Sequence, residues 1–209
     1  MKGLLTKEFY MLITSSMVLF IPVFILLGLL TKNSFFLTYI GVLFAMMPIS
    51  LMTFDETSHW ESYVLGLPFD RHRIVTSKYI MTLILTVGAA AIMLLMSYVF
   101  NKMGAVSYDE ALPVVGSSLL LCIIFPALLY PLNFKLGTAK ARMVMLAAFG
   151  LLTAGFIVLS SSNQTIGSLI GKLDAASPTV VCGIIGAVLA IIFAASWVLS
   201  LKLYSSREF

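Results

Sequence analysis

Residues Asp55 to Lys78 read DETSHWESYVLGLPFDRHRIVTSK, a charge-rich interruption between two long apolar runs. Ser58 and Glu61 have the spacing of a capping box, in which a hydroxyl and a carboxylate each satisfy an orphan amide of a first helical turn. Trp60, Tyr63, Val64 and Leu67 follow at i, i+3, i+4 and i+7, and Gly66 with Pro68 supplies a stop. The spacing predicts a two-turn amphipathic helix. A helix this short is not stable alone in water, so its apolar face is expected to rest on lipid headgroups or on another protein.

Outward from this segment the chain reads as membrane. Hydrophobic residues make up 60% of it and charged residues 11%, with a mean hydropathy of +1.06, far from the soluble range. A bilayer core needs about 20 apolar residues per helix. Six charge-free stretches are long enough: Phe9 to Leu30, Phe35 to Phe54, Tyr79 to Phe100, Leu112 to Phe134, Met143 to Ser160 and Thr179 to Leu201. Their apolarity is continuous rather than alternating, which marks helices and not barrel strands. The expected fold is an all-α polytopic membrane protein with six transmembrane helices, residues 1–209 forming a single transmembrane domain.

Orientation follows from the basic residues. With both termini in the cytoplasm, ten of the thirteen lie inside: Lys2, Lys7, Arg71, Arg73, Lys78, Lys135, Lys140, Arg142, Lys202 and Arg207. Lys32, Lys102 and Lys172 fall outside. The polar segment 55–78 is then cytoplasmic, and the net charge of +4 reflects this bias rather than a nucleic-acid partner. The first apolar run is about twice the length of a signal peptide's core and lacks a small-residue cleavage site, so it is expected to stay as an anchor. Ahead of it, Leu4, Leu5, Phe9 and Leu12 share a helical face beside Lys2, Lys7 and Glu8. That pattern fits an interfacial approach helix or an ordinary basic flank.

Chemistry inside the membrane is sparse. The expected spans hold no Asp, Glu, Lys, Arg or His, the groups that ion-coupled transporters place at depth. No P-loop pattern occurs. Glu56 and His59 have the Glu-x-x-His spacing of di-iron bundles, but such sites need two pairs and further carboxylates. Ser117, Ser118 and the Ser160 to Ser162 run have no base within their spans to activate them. Cys122 and Cys182 are expected to pack. Gly183, Gly186, Ala187, Ala190 and Ala194 permit close helix packing, within the subunit or at a dimer seam. Pro22, Pro48, Pro126 and Pro131 are expected to kink their spans, freeing carbonyls for Tyr130, Asn133 or water to satisfy.

Six spans in about two hundred residues, cytoplasmic termini, and an inner segment carrying Asp55-Glu56, Trp60, Leu67-Pro68, Arg71, Ile74-Val75 and Lys78-Tyr79 together resemble ABC-2 type transporter permeases. Within that family the chain is similar to small permeases that include peptide-antibiotic resistance pumps and exporters of phenol-soluble modulins. The resemblance implies a permease domain over residues 1–209, not itself an enzyme, in the plasma membrane of a bacterium. It implies a separate ATPase subunit that carries ATP and Mg, a second permease copy, identical or related, and a coupling helix between spans two and three that docks into the ATPase. A small outer cap is expected over Ser161 to Ser177, where Ile166, Leu169, Ile170 and Leu173 recur at helical spacing.

The two readings meet at the polar segment. Trp60, Tyr63, Val64 and Leu67 are expected to insert into the ATPase groove, with Asp55, Glu56, Glu61 and Arg71 setting register at its rim; alternatively, the rings of Trp60 and Tyr63 sit in the headgroup belt. Thr14, Ser15, Ser16, Ser50, Thr53, Tyr130 and Asn133 are polar candidates along a pathway, and no geometry selects among them. A pathway without fixed charge suits an amphipathic peptide, with a lipid or drug as the alternative cargo. The other class left open is a non-transporting anchor or sensor that recruits a cytoplasmic partner.

Overall fold

The computed structural model describes residues 2–60, 64, 71–162 and 178–205. Within these, seven helices follow one another: α1 Lys2–Thr14, α2 Ser16–Thr31, α3 Phe35–Thr57, α4 Arg71–Lys102, α5 Tyr108–Leu136, α6 Thr138–Ser162 and α7 Pro178–Ser205. By length and apolarity α3, His72–Lys102 of α4, α5 and Gly186–Tyr204 of α7 can each cross a bilayer, and the bent pair α1–α2 makes a fifth candidate. The expected span Met143 to Ser160 lies within α6.

The first expected span is not one helix. It breaks at Ser15, where α1 and α2 meet at 58°. Ser15 has an extended backbone, and its buried hydroxyl accepts from the Met17 amide at 3.4 Å, so it caps α2 in the middle of an apolar run. The expected capping box is likewise replaced. Ser58 closes α3 rather than opening the next helix: its hydroxyl donates to the Asp55 carbonyl at 3.2 Å, and His59 after it has a left-handed φ of 51°. Trp60 and Val64 are helical, one turn apart; Glu61, Tyr63, Leu67 and the expected outer cap lie outside the described residues.

α3 is the central helix, packed against α1, α2, α4, α5 and α6, while α7 lies on α4 and α5. Leu37, Ile40, Phe44, Met47 and Leu51 of α3 interdigitate with Met81, Leu85, Ala89 and Met93 of α4 in the main core. α3 and α5 approach closely at Gly41, where an added Cβ would lie 2.5 Å from the Ser118 Cβ. Helix packing without water to drive it depends on such small residues.

The prolines sit inside continuous helices: Pro22 in α2, Pro48 in α3 and Pro113, Pro126 and Pro131 in α5. Pro131 has no N–H for the Ala127 carbonyl. The Ser196 hydroxyl of α7 donates to that carbonyl instead. The freed acceptor thus ties α7 to α5, and the donor comes from neither Tyr130 nor Asn133.

Candidate functional site

The described end of α3 carries Asp55, which is buried together with Glu8 of α1 and Lys78 of α4, at 6%, 2% and 5% exposure. Each lies one residue beyond an expected span edge, and the packing of α1, α3 and α4 brings these three edges into register. The Asp55 carboxylate accepts from both Lys7 and Lys78, and Lys78 Nζ lies 2.5 Å from Glu8 Oε1. Lys7 Nζ is 3.6 Å from the same Glu8 oxygen. Two ammoniums and two carboxylates therefore balance in a low-dielectric site, which is the condition under which buried charge is tolerated. Lys7 is the most exposed member.

A second layer of hydrogen bonds begins one residue further along α4. Tyr79 Oη lies 2.7 Å from Ser196 Oγ and 2.8 Å from Ser200 Oγ of α7. Thr82 Oγ1 lies 2.6 Å from Tyr130 Oη of α5, which also donates to the Lys78 carbonyl at 3.2 Å. Around these hydroxyls Tyr79, Tyr130, Phe134, Tyr204 and Phe193 form an aromatic seam with neighbouring centroids 4.9–6.3 Å apart. Sequence reading missed this layer. Ser196 and Ser200 at i and i+4 in an otherwise apolar run were its visible signal.

The residues expected to serve coupling divide in two. Val64 is fully buried against this chain's own seam, and Trp60 is half-buried there with Lys7 Nζ 4.4 Å above its ring. Asp55 is interior, as described. Glu56 reaches across to α6, where its carboxylate accepts from the Thr138 amide at 2.8 Å and from the Thr138 hydroxyl. A carboxylate at a helix N-terminus opposes the positive end of the helix dipole. Arg71 opens α4. Glu61, Tyr63 and Leu67 lie outside the described residues.

Between these groups is a cavity of about 40 Å³, bordered by Asp55, Glu56, Trp60, Lys78, Asn133 and Thr138. Asn133 is buried and its Oδ1 has no protein partner, so the space suits an ordered water. Other polar candidates serve the backbone: Thr14 donates to Tyr10, Ser50 to Met47 and Thr53 to Ile49. Thr53 also accepts from Arg142 at 2.7 Å.

Neither curated proteins nor solved structures give a match to this sequence. A family model described as "ABC-2 family transporter protein" matches residues 3–205, which takes in the seven described helices apart from Lys2, the charge cluster and the polar segment. Proteins of this kind are the membrane components of transporters and work with ABC ATPase partners. The chain belongs to the ABC-2 transporter family, as one of its multi-pass membrane components.

Proposed function

We propose that this chain is the permease subunit of an ATP-driven exporter, with six spans, both termini cytoplasmic, and a coupling helix between α3 and α4. The observation that carries the reading is the ion network at the base of that segment. Asp55 and Lys78 flank it and bind each other, and both are bound to α1. A partner acting on residues 56–77 would therefore act on α1, α3 and α4 as one body. An ATPase subunit holding ATP and Mg is the partner, and two permease copies, identical or related, complete the pathway.

The buried positions refine which residues meet the ATPase. Val64 and one face of Trp60 seat the segment on its own bundle, and Asp55 braces it from below. The remaining members of the set, Glu61, Tyr63, Leu67 and Arg71, are then the candidates for the ATPase contact. Export of amphipathic peptides remains the favoured cargo, on the resemblance and on the lack of charge within the expected spans.

The test is co-purification with the ATPase encoded beside this chain, followed by ATP turnover in nanodiscs with and without helical amphipathic peptides. A stable complex whose turnover rises with peptide supports an exporter. A stable complex with turnover indifferent to peptides, lipids and drugs points to the anchor reading instead. Tyr63→Ala with Leu67→Ala should uncouple turnover from transport while the permease stays inserted.

A further inference from the structure

A groove of about 390 Å³ runs between α3, α5 and α6. Its walls are Met46 and Ile49 of α3, Phe125 and Leu129 of α5, and Met145 and Leu146 of α6. All of these are hydrocarbon, aromatic or thioether surfaces. Arg142 stands at one end, and it is the groove's only charged residue among those described. Thr53 fixes this end in height. It accepts from Arg142 at 2.7 Å and lies two and three residues before Asp55 and Glu56, within a turn of the polar layer. From the level of Thr53, Met46 lies two helical turns along α3, about 10 Å toward the bilayer centre at 1.5 Å per residue.

We propose that this groove is a binding site for an anionic phospholipid, with one acyl chain along α3 and α6 and the headgroup phosphate on the Arg142 guanidinium. The chain crosses a membrane, and the groove is open to the outside: Met46 and Leu146, which line it, are both exposed. A slot open to a bilayer is filled by acyl chains, and a cation at headgroup height selects which lipid supplies them. Guanidinium pairs with phosphate through parallel N–H bonds. Arg142 spends one on Thr53 and makes no ion pair among the described residues. Glu56, the nearby acid in sequence on α3, is engaged by Thr138. Exposed Lys135 and Lys140 flank the same end and raise its positive potential. The site is separate from the coupling segment, and it requires only a membrane, not a particular cargo.

The test uses the full chain in bilayer nanodiscs of phosphatidylcholine and phosphatidylglycerol, extracted into mild detergent for native mass spectrometry. One phosphatidylglycerol per chain should persist on the wild type. Arg142→Gln should reduce its retention about tenfold, with Arg142→Lys intermediate, because a point charge keeps attraction without the paired geometry. Met46→Trp, which fills the slot and leaves the cation, should reduce retention to a similar degree. Size-exclusion profiles matching the wild type show that both variants fold. Equal retention by Arg142→Gln and wild type, or retention of phosphatidylcholine as strong as phosphatidylglycerol, overturns the proposal. So does a photoreactive side chain at Leu146 that captures a second copy of this chain in the bilayer in place of lipid.

Discussion

Lys78→Met is the most informative single change, because the four-charge cluster can be followed through it. Lys78 and its two carboxylate partners have side chains at most 8% exposed, so removing the ammonium leaves Asp55 and Glu8 sharing only Lys7. One buried negative charge is then uncompensated. Breaking a buried ion pair from one side costs ~3–5 kcal/mol. Asp55→Asn has the opposite sign: it leaves two lysines against Glu8. Lys7, at 20% side-chain exposure, can turn to solvent, which brings the expected cost to about 2 kcal/mol, below that range. In the double variant Lys7 and Glu8 remain as a neutral pair. Its destabilisation should fall short of the sum of the singles by ~1–3 kcal/mol, the coupling expected of contacting groups. For a chain of this size 1 kcal/mol corresponds to about 2–4 °C in Tm. Lys78→Met should therefore lower the detergent-solubilised Tm by roughly 6–20 °C, read by fluorescence-detected size exclusion after heating. A loss under 2 °C for Lys78→Met, or strictly additive singles, would refute the claim that these charges form one balanced buried unit.

Three further outcomes follow from particular contacts. Gly41→Ala places a methyl on the Ser118 Cβ and should cost about 1–3 kcal/mol of stability, largely recovered by Ser118→Gly in the same chain. Ser196→Ala strips the donor from the Ala127 carbonyl and should cost about 1–2 kcal/mol; with Pro131→Ala, which restores a backbone N–H, the same change should cost little. Gly137→Ala should slow ATP-coupled transport or destabilise the chain, because Gly137 has a φ of 81° and an added Cβ would sit 3.0 Å from Glu56 Oε1. Thermal melts and coupled turnover of Gly137→Ala beside Glu56→Gln separate backbone strain from loss of the carboxylate.

Helices and membrane placement were legible because uninterrupted apolarity has one physical solution in a bilayer. The break at Ser15 was not, although Thr14, Ser15 and Ser16 stood together: hydropathy averages over three hydroxyls that act locally as a cap. Ser58 misled for a related reason. The same residue type that opens helices can close one by donating backward to a carbonyl, and sequence spacing does not say which carbonyl is within reach. The charge cluster escaped because each member was judged against its own span. Glu8, Asp55 and Lys78 all abut expected span edges, and only the packing of α1, α3 and α4 turns three flanking charges into one buried site. The burial of Asp55 and Val64 within the chain was not legible either, because their place in a polar segment says nothing of which neighbours cover them.

α4 is where the two polar layers join. Lys78 belongs to the ion network with α1 and α3, and Tyr79 and Thr82 carry the hydroxyl bonds to α7 and α5. A tilt of α4 at this level cannot occur without breaking buried polar contacts or moving the helices that share them, and the low dielectric makes the first costly. Motion is thus channelled into the bundle as a body. α6 stands apart from this. Its polar ties at the same level, Thr138 to Glu56 and Arg142 to Thr53, both run to α3 alone, and Arg142 is exposed to solvent or headgroups. With these described ties running to α3 alone, α6 is placed to change its angle against the rest of the bundle. The groove it forms with α3 and α5 would open or close as it does so. Occupancy of that groove by a lipid and the angle of α6 are then two descriptions of one equilibrium, each able to bias the other.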